Sequence, residues 1–306
     1  MARRPPTNLP ASIHRRLLNG AREREEDVQF VLQRYCAERF LYRVGESPHR
    51  EDFVLKGAML FALWGGSLYR PTRDLDFTGY GSDDLDAVLD RFRTICVQPV
   101  TDDGVTFDAS TLTAEPIRDE VEYGGLRVVF DAWLGTAGPI RMQVDIGFGN
   151  AIVPGAVEAE YPTLLDAPAP RIRTYPHEAV VAEKLHAMVV LGERNSRQKD
   201  FYDLYVLAQR FAFDGARLTK AIAATFERRR TPIDSTLPAA LAPRFYADAQ
   251  RATQWRAYLE RNRLPGAPVD LAQAGEVLLG FLGPPWRALV SGEPYTSSWP
   301  AGGPWS

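Results

Sequence analysis

The chain has 306 residues, of which 45% are hydrophobic and 25% charged, with a net charge of −3; that is enough apolar material for one large core or two ordinary ones. No run of 18 or more apolar residues occurs, and the Arg- and Pro-containing start MARRPPTNLP lacks the apolar core of a signal peptide, so the expectation is a cytoplasmic protein with no membrane partner. The two cysteines, Cys36 and Cys96, are far apart and without metal-ligand spacing, which argues against a disulfide framework or a zinc site and for buried thiols.

Charge is sorted along the chain. Residues 1–50 carry +4 and residues 210–263 carry +6, whereas residues 51–209 carry −11 and residues 264–306 carry −2. An acidic middle between basic stretches suits carboxylates that bind metal beside a surface that binds nucleic acid, although solvated helix faces would give the same pattern. Only four of the 36 basic residues are lysines, Lys56, Lys184, Lys199 and Lys220. A compact ammonium does work that a guanidinium fork does not, so each lysine is a pointer.

In chain order, residues 11–19 and 23–44 read as helices, and Gly45 to Pro48 ends the second. Asp52 to Lys56 suits a short strand, Gly57 a turn and Ala58 to Trp64 a helix closed by Gly65-Gly66-Ser67. Thr72 to Phe77 (TRDLDF) alternates, which sets Thr72, Asp74 and Asp76 on one strand face and Leu75 and Phe77 on the other. Asp83 to Phe92 has helical periodicity. Strands follow around Arg127 to Phe130 and at Ile140 to Ile146, the latter placing Arg141, Gln143 and Asp145 on its polar face. After the Pro-rich stretch 162–170 the pattern turns helical, over 176–191, 199–211, 214–230, 239–262 and 270–282. From Gly283 the tail has no periodicity. The expected architecture is α+β, a mixed sheet with flanking helices over residues 1–160 and a mainly helical domain over 161–306.

The chemistry concentrates around Asp74-Leu75-Asp76. Two carboxylates two residues apart on one strand face can ligate one hard cation, and Asp145 from another strand would complete an oxygen-rich site for Mg2+, with Mn2+ as the substitute. A D-x-D alone is common on surface strands. Here it follows FVLKGAML, in which Lys56, Gly57 and the helix start can present a charge and backbone N–H groups to phosphates. Lys184 lies mid-helix among Ala182, Leu185 and Met188, where a lone lysine ordinarily snorkels to solvent. Asp200 and Asp203 share a helix face; Asp200 is the candidate to position a substrate hydroxyl, Lys184 or the metal shell, and Asp203 is expected to cap the helix or pair with Lys199. Arg194 and Arg197 fall in a polar loop, suited to phosphates or to solvent. His177 and His186 have no helical metal-pair spacing and read as structural. Arg228-Arg229-Arg230, with Lys220 and Arg244 to Arg263, would form a phosphate-binding groove if they shared one face.

The ordered motifs FVLKGAML, RPTRDLDF, QVDIGFGN, AEKLHAM and RQKDFYDLYVL resemble those of the AbiEii/AbiGii nucleotidyltransferase toxins, including the MenT group, within the DNA polymerase β superfamily. The likeness runs from about residue 20 to 210. It departs from the superfamily signature at Gly57-Ala58, where a second Gly or a Ser is usual, so a hydroxyl contact to phosphate is lost there. The resemblance implies a polymerase-β-type sheet, metal aspartates Asp74 and Asp76 with Asp145 as third carboxylate, and Thr72 and Arg73 beside the nucleotide phosphates; Arg197 is a nucleotide-side candidate from its loop position alone. It implies Lys184 as the essential lysine and Asp200 as the essential downstream aspartate. It further implies transfer of a nucleoside monophosphate, often a pyrimidine, from a nucleoside triphosphate to the 3′ end of tRNA, with a cognate winged-helix (AbiEi-like) antitoxin as partner. A small-molecule nucleotidyltransferase of the antibiotic-modifying kind, or a catalytically silent nucleotide-binding module, would share the metal site.

Overall fold

The computed structural model describes residues 8–65, 70–117, 124–135, 137–264 and 266–306. The chain divides into two compact units, one of residues 1–68, 72–149 and 157–174, the other of residues 69–71, 150–156 and 175–306. The stretch Val157–Thr174 thus packs with the first unit. No helix among the described residues is long and apolar enough to cross a membrane.

The first unit opens with helices α1 (Leu9–Glu23) and α2 (Val28–Glu46), the latter started by Asp27, whose carboxylate accepts from the Phe30 N–H at 2.9 Å. Then come strand β1 (Phe53–Lys56), a 3-10 turn Gly57–Met59, helix α3 (Leu60–Gly65), β2 (Leu75–Gly79) and α4 (Leu85–Cys96). Strands β3 (Val105–Ile117), β4 (Gly125–Leu134), β5 (Ile140–Phe148), β6 (Val157–Glu160) and β7 (Arg171–Thr174) complete it. These seven strands form one mixed sheet in the order β3-β4-β5-β2-β1-β7-β6, with β2 parallel to β5 and β1 parallel to β7 and the other pairs antiparallel.

Alternation gives this sheet two unlike faces. Val128, Phe130 and Ala132 of β4 and Met142, Val144 and Ile146 of β5 are buried, and Phe40 of α2 joins Phe92, Phe107 and Phe130 with ring centroids 5.6, 5.4 and 5.0 Å away. Each such ring removes a large apolar area from water, so this cluster contributes substantially to the stability of the unit. The opposite face carries the charged residues. Cys36 and Cys96 are buried free thiols, as expected.

The sequence placed the D-x-D strand at Thr72 to Phe77, whereas β2 starts at Leu75. Pro71 has no N–H to donate, and the Gln33 amide donates to the Arg73 carbonyl at 3.2 Å, so the residues before Leu75 satisfy the backbone outside the ladder. Gly66 and Ser67 of the expected closing loop lie outside the described residues.

The second unit holds α5 (His177–Leu191), α6 (Gln198–Arg210), β8 (Phe213–Asp214), α7 (Gly215–Arg228), α8 (Pro243–Tyr246), α9 (Ala249–Asn262), α10 (Leu271–Ser291) and β9 (Ser298–Trp299). Two expectations are corrected here. The helix expected over 239–262 is a 3-10 turn, Ala239–Leu241, followed by α8 and α9, because Asp248 caps a fresh start by accepting from the Arg251 N–H at 2.8 Å. The helix expected to end at 282 runs to Ser291, through Pro284 and Pro285. Pro285 leaves the Phe281 carbonyl without its helical donor, and the Trp305 indole N–H supplies one at 2.9 Å. The tail is therefore built in: β9 pairs with β8, and the Trp299 indole donates to the Ala208 carbonyl at 2.7 Å.

Candidate functional site

Each unit carries its own constellation of charged residues. In the first, register aligns Lys56 with Asp76, Asp76 with Asp145, Asp145 with Arg127 and Arg127 with Glu115. Residues paired directly across strands share a face, so these five form a charged row across β1, β2, β5, β4 and β3. Asp145 accepts two bonds from Arg127, at 2.8 and 2.7 Å, and weaker ones from Gln143. This bond to Asp145 drives the Arg127 pKa above its ordinary value, with Asp145 and Asp74 adding their charge. Arg127 thus neutralises the carboxylate predicted as third metal ligand. Sequence reading missed it, although its place opposite Asp145 on a predicted strand was a signal.

Gly57 adopts φ +74°, and a Cβ built there would run into the Asp76 carboxylate. Glycine is required by both the backbone and the close approach. The turn of FVLKGAML is thereby packed against the aspartate, and Lys56, one residue before, is buried. Upstream of Asp74, the Thr72 hydroxyl donates to the Asp74 carbonyl at 3.4 Å and Arg73 is exposed. Gln33 bridges the carbonyls of Arg73 and Arg141, at 3.2 and 3.3 Å, and so ties the D-x-D segment to β5.

The donor set Asp74, Asp76 and Asp145 is all carboxylate oxygen, which fits a hard divalent cation such as Mg2+ and suits soft metals poorly. As the side chains stand, no group of three or more His, Cys, Asp or Glu among the described residues converges well enough to hold a metal.

The second unit holds a cluster of five charges built round two buried aspartates. Lys184 of α5 contacts Asp200 at 2.8 Å and Asp203 at 2.7 Å, Arg197 donates to Asp200 at 2.6 Å, and Arg70 makes a bidentate pair with Asp203 at 2.7 and 3.0 Å. Both aspartates are buried. Burial opposes their ionisation, yet the cations win and both pKa values lie below the ordinary carboxylate range. Burial likewise opposes the charge on Lys184, and Asp200 and Asp203 outweigh it, leaving its pKa raised. The cluster is therefore fully ionised and carries +1 in sum. Three cations held by two anions leave a positive charge fixed in a low-dielectric place, which is what a phosphate site needs.

Asp203 was expected to pair with Lys199, four residues back, but its partners are Arg70 and Lys184. Long-range ion pairs leave no trace in helical spacing, and Arg70 went unnoticed for the same reason. Arg194 is exposed in the 3-10 turn Gly192–Arg194. His186 is structural, as expected. Arg229 donates to its Nδ1 at 3.1 Å, so Nε2 carries the proton and donates to the Thr231 hydroxyl at 2.8 Å. That placement buries Arg229, which also pairs with Glu183 at 3.4 Å, and so removes it from any open basic run 228–230. Arg251 and Arg244 are likewise engaged with Glu193.

The family is shown by the sequence over most of its length. Residues 39–289 match the family model of the nucleotidyl transferase AbiEii toxins of type IV toxin–antitoxin systems, and the chain belongs to that family. Membership implies a nucleotide substrate and an antitoxin counterpart. No curated protein matches the sequence. A crystal structure of a provisionally assigned nucleotidyltransferase from H. pylori is similar with a TM-score of 0.49 and 14% identity, covering 87% of this chain and 99% of that one.

Proposed function

We propose that this toxin transfers a nucleoside monophosphate, from a pyrimidine triphosphate, to the 3′ end of tRNA in a Mg2+-dependent reaction, so that the tRNA can no longer be aminoacylated. The observation that carries the reading is the charged row on the sheet, with Gly57 packed against Asp76. In the reaction the 3′-hydroxyl oxygen bonds to the α-phosphorus, the bond from that phosphorus to the bridging oxygen breaks, and pyrophosphate leaves while the hydroxyl proton passes to solvent. Asp74, Asp76 and Asp145 would hold the cation, which supplies charge neutralisation at the phosphates when bound.

The chain's own groups define the rest. Lys184 stays protonated, and two of its three ammonium donors are taken by Asp200 and Asp203; the third can meet charge developing on pyrophosphate. Asp200, held ionised by Lys184 and Arg197, is a poor proton acceptor and acts by orienting Lys184. Lys56, Gly57, Thr72, Arg73 and Arg197 are the nucleotide-side groups. A winged-helix antitoxin and a cytoplasmic setting complete the proposal.

The test is incubation with total RNA and each labelled triphosphate in turn, followed by mass spectrometry of the RNA. Asp74→Asn and Asp76→Asn should each abolish labelling, by at least about a hundredfold, with the circular dichroism spectrum unchanged. Labelling of a small hydroxylated compound instead of RNA would overturn the acceptor assignment. Triphosphate binding without product would overturn the transferase reading of this chain.

A further inference from the structure

A cavity of about 430 Å³ opens in the second unit between the start of α6 and one face of α9. Its wall from α9 is formed by Gln254, Tyr258 and Arg261, spaced to lie in one stripe of a helix. Its other wall is Arg197, Gln198 and Lys199. Three of these side chains are cationic and none of the residues that line the cavity is acidic. The contrast with nearby arginines is informative. Arg244 and Arg251 are paired with Glu193, whereas Lys199 and Arg261 have no carboxylate within ion-pair distance among the described residues and stay exposed. Tyr258 is half-buried and its ring is braced by Tyr202 and Trp255, both at 6.3 Å between centroids. Trp255 is itself fixed by its indole N–H, which donates to the Pro268 carbonyl at 2.9 Å.

We propose that this cavity receives the single-stranded end of the RNA acceptor, with a base against Tyr258 and the neighbouring phosphates on Lys199 and Arg261. The inference rests on the RNA-acceptor reading above and names the part of the second unit that would hold it. A rigid aromatic ring beside unneutralised cations is the recurrent recipe for single-stranded nucleic acid, because every base has a face to stack and every nucleotide a charge to pair. The volume is that of a mononucleotide-sized site. The cavity is also continuous with the buried cluster, since Arg197 lines it and donates to Asp200.

The experiment is fluorescence anisotropy with the full chain and a 5′-labelled single-stranded RNA hexamer, repeated from 50 to 200 mM salt, alongside titration with nucleoside triphosphate. Arg261→Ala should weaken RNA binding about five- to tenfold and lower the salt slope by about one. Tyr258→Ala should weaken it about tenfold and Tyr258→Phe should restore it, because stacking needs the ring and not the hydroxyl. Triphosphate affinity should be unchanged in all three. Arg287→Ala, which removes an equal charge from an exposed position on α10, should have a much smaller effect. Should Tyr258→Ala fail to fold, Arg261→Ala decides alone, since Arg261 is exposed. RNA binding by the wild type that Arg261→Ala leaves intact, or that Arg287→Ala reduces equally, would overturn this site alone. Weakened triphosphate binding with RNA binding intact would reassign it to the triphosphate. Failure of the wild type to bind RNA would overturn the acceptor reading and this proposal with it.

Discussion

Lys184 illustrates what a single residue can and cannot reveal. Its rarity in an arginine-rich chain and its place in AEKLHAM marked it, and Asp200 was one candidate to position it, but the sequence did not disclose that Asp203 holds its ammonium as well. Lys184→Ala should lower kcat about a hundredfold with RNA saturating, whereas Lys220→Ala, an exposed lysine on α7, should change kcat little and cost about one unit of salt slope in RNA binding. Removing Lys184 leaves Asp200 with Arg197 and Asp203 with Arg70, so neither carboxylate is stranded. The stability loss should therefore be about 1–3 kcal/mol, below the 3–5 kcal/mol or so expected when a buried charge loses its only partner. Turnover measured beside urea denaturation separates the two effects. Equal, small losses of kcat for both variants would leave Lys184 a structural partner of Asp200 and Asp203 with no part in transfer.

At the scale of elements, legibility followed regularity. The helices α2, α6 and α7 and the strands β4 and β5 were legible because their apolar residues recur at one period, and α5 because it is a long, largely apolar run, even though α2, α5 and α6 also bury charged residues. The strands β6 and β7 were not, since four residues with charges on alternate positions look like loop. Nor was β3, which mixes Thr, Asp, Ser and Glu along its length and changes register between Asp108 and Thr113. The strand, turn and helix around Gly57 were read correctly as a unit, but the reason for the glycine was not. Its role is now specific: any Cβ at a φ of +74° would displace the Asp76 carboxylate. Gly57→Ala should destabilise the first unit by about 1–2 kcal/mol through the positive φ and reduce transfer far more than that stability loss explains. Activity and thermal melting measured on the same preparation test this. A variant that melts lower yet turns over normally would show that Asp76 tolerates the shift and that the glycine serves the backbone alone.

For the whole molecule, the sorting of charge was the most legible property and its use the least. The acidic middle does hold the aspartate row, whereas part of the basic stretch 210–263 is spent internally, Arg229 on Glu183 and His186, and Arg244 and Arg251 on Glu193. Burial first, then the nearby Arg229 charge, pushes the His186 pKa down to about 4 against the partial counterweight of Glu183. The folded chain therefore resists a proton that the unfolded chain accepts near pH 6.5. A histidine with a depressed folded pKa contributes stability that is complete above about pH 6.5 and is lost as pH falls towards about 4, below which its contribution is constant. The shift corresponds to a loss of about 3 kcal/mol from this one group. Asp200 and Asp203, whose folded pKa values are lowered, act in a separate window, since their stabilisation persists until pH falls below the ordinary aspartate value of about 4. His186→Gln offers an amide acceptor to Arg229 and a donor to Thr231 without a titrating ring. Urea midpoints collected from pH 7.5 to 4 should fall steeply for the wild type and less steeply for the variant, the two curves converging as pH drops. Parallel curves would mean that His186 takes up its proton as readily in the folded chain as in the unfolded one, and with that the hydrogen-bond assignment through Arg229 would fail.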